Sequence, residues 1–311
     1  MKQEIARSGE KVEAPPKGKV AVTGASGLLG RRLMPALDRA GWSAQPLVRR
    51  REQPGIFWDP AGGMLDPSAL GGYSAVIHLA GENVFGRWTA SKKRRIEESR
   101  VRGTRLIAES LAALDAPPSV LISASAIGFY GDRGDELMRE SSTKGEGFLA
   151  DVCGNWEAAT AAASEAGMRV VHLRIGIVLD KDGGALAQML TPFKLGVGGQ
   201  LGDGRQWFSW IHVDDLVAAI LFALENEEVS GPVNGVAPAP VRNRELTKTL
   251  GRVLGRPTLL PAPSLALKLA FGQMANETLL ASTRVSPDAL EAAGFRFQHG
   301  QLESALRAEL D

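Results

Sequence analysis

Apolar and polar positions along the chain alternate between two rhythms. Val20–Val22 is a short apolar run that ends in Gly24-Ala25-Ser26-Gly27-Leu28-Leu29-Gly30. Beyond it, Leu28, Leu29, Leu33, Leu37 and Ala40 recur near helical spacing. A strand, a glycine turn and an amphipathic helix are therefore predicted. Gly41 stands where a helix cap belongs, and Ala44–Val48 reads as a second strand. Ile56–Trp58 is a short third strand stopped by Asp59-Pro60. Ala75–Gly81 is apolar almost throughout, the pattern of a parallel strand buried on both faces. Ile96, Val101, Leu106, Ile107 and Leu111 form a helical stripe over 89–114, with Thr89 as cap and Pro117-Pro118 as terminator. Val120–Gly131 predicts another buried strand with a small, polar end. A helix over 147–166 and a strand over 169–179 follow. Such alternation implies right-handed βαβ crossovers and a doubly wound parallel sheet, an α/β fold.

The pattern changes after Asp180. Gly183-Gly184 opens a helix to Lys194. Glycines at 196, 198, 199, 202 and 204 predict a flexible loop. Trp207–Val213 follows, then Asp214-Asp215 as the cap of a helix to Leu224. Further helices are expected near 242–254, 264–282, 287–293 and 300–310. These pieces are too short and broken for a second nucleotide fold, so 232–311 reads as a small C-terminal substrate lobe. The α/β domain is placed at 18–231, with 183–206 contributing to that lobe, and 1–17 as a disordered leader without an apolar core.

Composition narrows the function. Among 311 residues, 36 Lys and Arg balance 35 Asp and Glu, which gives no reason to expect nucleic acid or a membrane as partner. The single Cys153 excludes an internal disulfide framework and suits a reducing, cytoplasmic setting. One cysteine and four scattered histidines show no metal-site spacing.

The glycine turn carries the chemistry. Gly24 lets the backbone turn sharply, Gly27 lets it approach a pyrophosphate, and Gly30 lets the helix pack on the strand. Free N–H groups at the helix start then face the phosphates. The spacing is G-x-x-G-x-x-G, and the strand before and helix after it supply the confirming context. At the end of the second strand, where an NAD-specific fold carries an acid, Arg49-Arg50-Arg51 stand instead. Guanidinium groups there favour a 2′-phosphate, so NADP(H) is expected over NAD(H). Ala80-Gly81 leaves room for an adenosine ribose. His78 reads as a core histidine, and Ser125, at the end of a parallel strand, as a donor to a substrate oxygen.

Several stretches together resemble the extended short-chain dehydrogenase/reductase superfamily. They are Thr23–Gly30, His78–Gly81, Ser123–Ser125 through Tyr130-Gly131, and Trp210–Asp215. Ala80–Asn83, Arg87–Thr89, Ser99–Thr104, Phe148–Cys153, Trp156-Glu157 and Asn234–Pro238 resemble an atypical subgroup, the epimerase family proteins with a C-terminal domain of unknown function. The resemblance covers residues 19 to about 308. It implies an NAD(P)-binding Rossmann fold with a substrate lobe on top, in which Gly24, Gly27, Leu28, Leu29 and Gly30 hold the pyrophosphate and Arg49 and Arg50 hold the 2′-phosphate. It further implies that Ala80 and Gly81 line the ribose and that Arg100 touches the cofactor. The superfamily works through a Tyr-x-x-x-Lys pair and a Ser. Its spacing puts Leu149 and Cys153 at the Tyr and Lys positions, and neither side chain does that work. Ser125 remains as the donor and Tyr130 is the nearest phenol. The leading expectation is an NADP(H)-dependent oxidoreductase acting on an unidentified small carbonyl or hydroxyl compound. A non-catalytic NADPH-binding protein is the alternative, and a nucleotide-sugar epimerase or dehydratase ranks third. A homodimer is left open.

Overall fold

The computed structural model describes residues 17–311. The expected leader lies outside the described residues, apart from Lys17, whose Nζ pairs with Glu225 at 2.7 Å. The chain begins β1 (Gly18–Thr23), α1 (Leu28–Arg39), β2 (Trp42–Val48), β3 (Ile56–Asp59), β4 (Met64–Leu65) and β5 (Ala75–His78). It continues α2 (Ala90–Ala112), β6 (Val120–Ala126), a 3-10 turn at Ile127–Tyr130 and β7 (Leu137–Met138). Then come α3 (Phe148–Ala158), α4 (Ala161–Glu165), β8 (Arg169–Ile175), β9 (Ile177–Leu179) and α5 (Gly184–Lys194). The remainder is β10 (Trp207–Phe208), β11 (Trp210–His212), α6 (Val213–Glu225), β12 (Gly231–Gly235), β13 (Val241–Arg242), α7 (Asn243–Leu254), α8 (Ser264–Phe271), β14 (Arg284–Val285), α9 (Asp288–Ala292) and α10 (Leu302–Leu310).

Eight strands form one sheet in the order β12-β8-β6-β5-β1-β2-β3-β4, parallel except for the short β3–β4 pair. From β1 the chain winds outward to β2 and β3, then returns to β5 and winds the other way. The strand order therefore reverses between β1 and β5, which opens a crevice at their carboxyl ends. Both faces are covered. Val20 and Val22 pack with Leu33 and Leu37 of α1 and Leu216 and Ile220 of α6. Ala21, between them in sequence, points the other way into a cluster with Ile107 and Leu111 of α2 and Ala163 of α4. Burial on both faces explains why these strands are continuously apolar.

Four local expectations change. The helix expected over 147–166 is two, α3 and α4. Thr160 at the break donates its hydroxyl to Glu157 O at 2.8 Å, a local bond that competes with the helix ladder. The strand expected over 169–179 breaks at Gly176. A Cβ there would lie 2.7 Å from Val236 and 2.8 Å from Ser209 O, because the chain changes partner from β12 to β11. The cap of α6 is His212, whose Nδ1 accepts from Asp214 N; Asp214 and Asp215 occupy the first turn. The helix expected over 264–282 stops at Phe271 and resumes as a π-helical turn at Ala275–Leu279.

The segment after β9 builds a separate cluster from Leu186, Leu190, Phe193, Leu246, Leu250, Leu302 and Leu306 around Trp210. Residues 231–235, split by the expected domain boundary, form the edge strand of the large sheet. The glycine loop at 196–204 is tied down: Gly202 N donates to Ala262 O at 2.9 Å and Ala262 N to Gln200 O at 2.8 Å. Among the described residues, no helix is long and apolar enough to cross a membrane.

Candidate functional site

The crevice between β1 and β5 is built around the glycine turn. Gly24 has φ 69°, and its carbonyl accepts from Gly27 N at 2.9 Å. A Cβ on Gly24 would sit 3.0 Å from Ala80 N, and one on Gly30 would collide with Gly24 O and Ala25. Both glycines are thus required by close backbone approach. Gly27 caps α1 without a side-chain bond, and no acid lies in the first turn. Leu28, Leu29 and Gly30 open the helix, so their amide groups and the positive dipole end remain available to an anion.

Thr23, one residue before the turn, pins the two central strands together. Its hydroxyl accepts from Leu79 N at 3.0 Å and Ala80 N at 3.1 Å. It therefore donates to His78 Nδ1 at 2.7 Å, which puts the imidazole proton on the buried Nε2. His78 is a core residue edge-on to Trp58, as expected. Burial, with added repulsion from Arg100, lowers its pKa from 6.5 to about 4. Only the unfolded chain takes up this proton between those values, so the contribution is complete above pH 6.5 and is lost as pH falls towards 4. A His78→Asn variant, which keeps an acceptor for Thr23 but cannot titrate, loses this part of the acid slope in denaturation curves; an unaltered slope assigns it to other groups.

Arg49 and Arg50 are exposed at the end of β2 and make no ion pair among the described residues. Arg51 differs: its guanidinium lies 3.9 Å from the Phe57 ring centroid. Across the crevice, Ala80 and Gly81 follow β5. The Arg100 guanidinium sits under Gly81, with Cζ 3.2 Å from where a Cβ would stand. Arg100 Nη1 donates to Glu82 O at 2.9 Å and Ile96 O at 3.2 Å, and Cζ is 4.9 Å from the Trp156 ring centroid. Burial lowers the pKa of Arg100 without removing its charge. Gly24 and Ala80, and Gly81 and Arg100, far apart in sequence, thus meet at the ends of β1 and β5.

Ser125 and Tyr130 belong to a different construction. Ser125 Oγ donates to Glu157 Oε1 at 2.7 Å. Arg174 grips the same carboxylate with Nε and Nη2, both at 2.8 Å. Its Nη1 donates to Tyr130 Oη at 2.9 Å, and Tyr130 donates to Asn234 Oδ1 at 2.7 Å. Asn234 Nδ2 passes on to Ser286 O. Ser125 and Tyr130 are buried, and burial raises the pKa of the phenol. Both hydroxyls have partners within the protein. Glu157, Arg174 and Asn234, not predicted in this role, carry the network. A charged residue inside the apolar strand β8 was the visible signal, since such a side chain is buried only with a partner.

Residues 20–234 match the NAD dependent epimerase/dehydratase family. The chain belongs to this family. Residues 262–309 match a domain of unknown function, DUF1731. "Epimerase family protein Mb2239" of Mycobacterium bovis is 43% identical over 290 residues, covering 92% of this chain and 96% of that protein. The chloroplastic "Epimerase family protein SDR39U1 homolog" of Arabidopsis thaliana is 40% identical over 307 residues, covering 93% and 86%. Human epimerase family protein SDR39U1, isoform 2, solved with NADPH, superposes with a TM-score of 0.86 at 32% identity, covering 93% of this chain and 98% of that one.

Leu149, Cys153 and Trp156 lie at i, i+4 and i+7 on α3. A Cβ on Gly128 would be 3.3 Å from Leu149 Cβ and 3.8 Å from Cys153 Sγ, so this face packs on the end of β6. Burial pushes the Cys153 thiol up to about 12, which keeps it protonated and a poor base. Trp210 is core, and Trp207 is stacked by Arg242 at 4.2 Å and Arg284 at 4.5 Å. The fold also brings His212, Asp214 and His299 within 4.8 Å of one another. His212 Nδ1 is engaged by Asp214 N, and its ring lies 3.9 Å from that of His299, so this group acts as a helix cap and a packed ring pair.

Proposed function

We propose that the protein binds NADP(H) and works as an oxidoreductase on a small carbonyl or hydroxyl compound. The observation that carries this reading is the uncapped start of α1, with no acid in its first turn, and it is supported by Arg49 and Arg50, exposed at the end of the neighbouring strand β2 without an ion pair among the described residues. The nicotinamide, when bound, supplies or accepts hydride. The chain binds and orients it. Amide groups of Leu28, Leu29 and Gly30 take the pyrophosphate where Gly24 and Gly27 let it approach, Arg49 and Arg50 take the 2′-phosphate, and Ala80 and Gly81 line the ribose. Arg100 places a permanent positive charge beside the crevice. Ser125 and Tyr130 hold the strand-end network, and Cys153 stays a thiol. A reducing, cytoplasmic setting fits the single buried cysteine.

Titration with NADPH and NADH, followed by nicotinamide fluorescence, tests the cofactor. The Arg49→Ala change is expected to cut the NADPH preference by about 1.5–3 kcal/mol, the range of a charge-assisted bond. An unmoved ratio reduces Arg49 to a surface charge.

A non-catalytic, partner-binding reading is favoured by one observation. Helix α8 has no buried residue, and Leu265 and Leu269 are 68% and 69% exposed, beside exposed Leu259 and Leu260. Turnover of bound NADPH on a panel of carbonyl compounds separates the readings: oxidation supports the enzyme, and none with any compound supports the partner. A nucleotide-sugar epimerase ranks third, because Leu149 and Cys153 stand where it needs Tyr and Lys.

A further inference from the structure

A cavity of about 820 Å³ opens between the Gly202–Gln206 loop, the start of α7 and the start of α8. Among the described residues, its lining includes Arg205, Arg242, Arg244 and Lys268 against two carboxylates, Asp135 and Asp203. The acids are already engaged. Asp135 pairs with Arg242 Nη2 at 2.7 Å and accepts from Trp207 Nε1 at 3.0 Å. Asp203 accepts from Arg205 N at 2.9 Å. Arg205, Arg244 and Lys268 meet no carboxylate among the described residues. In a chain of net charge near +1, this local excess is a marked concentration of positive charge.

The cavity wall is held in place. Buried Asn243 accepts from Leu201 N at 2.8 Å. Buried Gln206 donates to Leu201 O at 3.1 Å and Leu279 O at 3.0 Å. Arg244 N donates to Gly204 O at 3.0 Å. The cations therefore project from a backbone that is already ordered, which reduces the entropy lost on binding. The wall also adjoins the rest of the candidate site. Leu279 ends the turn whose Glu277 accepts from Leu149 N at 2.8 Å, at the start of α3.

We infer that this cavity recognises a small oxyanion carrying two negative charges, as the anchoring group of the substrate; this rests on the oxidoreductase reading. Recognition runs through charge and not through a base. No aromatic side chain lines the cavity, and nearby Trp207 already has Arg242 and Arg284 against its ring. A phosphate ester and a dicarboxylate share this chemistry.

The test is calorimetry on protein saturated with NADP⁺, so that the turn at α1 is filled. Inorganic pyrophosphate, inorganic phosphate, malonate and uridine diphosphate are titrated in turn. At least one dianion is expected to bind, with affinity falling as salt rises. Stronger binding of the phosphates assigns a phosphate ester, and stronger binding of malonate a dicarboxylate. The Arg205→Ala/Arg244→Ala double variant is expected to bind at least about tenfold more weakly, with NADP⁺ affinity unchanged. Absence of binding by every anion, or equal binding by the double variant, overturns the inference. So does uridine diphosphate binding more than about tenfold tighter than pyrophosphate, since the base would then be recognised. If NADP⁺ itself fails to bind, the cofactor reading falls separately. The same anion titrations on Gly27→Asp, whose added carboxylate repels anions from α1, then decide the cavity alone.

Discussion

Replacing Glu157 by alanine is expected to destabilise the protein by about 3–5 kcal/mol, the cost of stranding a buried charge. Glu157 and Arg174 side chains are 11% and 4% exposed, and the guanidinium holds both carboxylate oxygens at 2.8 Å. Removing the acid leaves Arg174 against the Phe129 ring, with only Tyr130 Oη and Glu140 O as acceptors. It also takes the acceptor from Ser125. The network joins β6, α3, β8 and β12, so loosening it is felt across the carboxyl edge of the sheet. Chemical denaturation of Glu157→Ala beside Glu157→Gln is the measurement. The glutamine keeps one acceptor and is expected to lie between wild type and alanine. A loss below about 1 kcal/mol in the alanine variant would make the pair no stronger than an exposed salt bridge.

Gly27→Asp is expected to abolish NADPH binding while leaving the fold intact. Gly27 has φ −75° and ψ 178°, a conformation open to any residue, and a Cβ there meets only Gly24 O, at 3.1 Å. Aspartate is a favoured helix cap, so the introduced carboxylate satisfies the free amide groups of α1 and suits its dipole. It does so in the place of the pyrophosphate. Loss of several charge-assisted bonds, each about 1.5–3 kcal/mol, amounts to at least about a hundredfold in affinity. Equal or higher melting temperature together with lost NADPH fluorescence is the expected pair of results. Retained affinity would remove the glycine turn from the cofactor site.

Legibility followed the range of the interactions. The strand–turn–helix unit and the Thr89 cap are local, and both are readable: Thr89 accepts from Lys92 N as its position predicts. His78 was readable as core because its neighbours are apolar. The commitments of Ser125 and Tyr130 were not readable, because their partners are 32 and 104 residues away. The breaks at Thr160 and Gly176 escaped the pattern because both sites are compatible with the elements on either side. Only the crossing of Val236 and Ser209 over Gly176 makes the second break necessary. The loop at 196–204 reads as flexible from its glycines, yet Gly199 is required by close approach to Leu260 and Pro261, and the loop is hydrogen-bonded to Ala262.

By itself the sequence determined the α/β class, the order of elements and the place of the phosphate turn, since hydrophobic period and glycine spacing act within one turn or one strand. The expectation that Leu149 and Cys153 stand in place of a Tyr-x-x-x-Lys pair likewise needs no coordinates, since it is a count along the superfamily's spacing. The tertiary structure decided which polar groups are spent on the protein itself and which remain free for a ligand. Ser125, Tyr130 and Glu157 have partners within the protein; among the described residues the first α1 amides and the Arg49, Arg205 and Arg244 side chains have none. A hydrogen bond or ion pair depends on the last few tenths of an ångström between residues far apart in the chain, and only packing sets that distance.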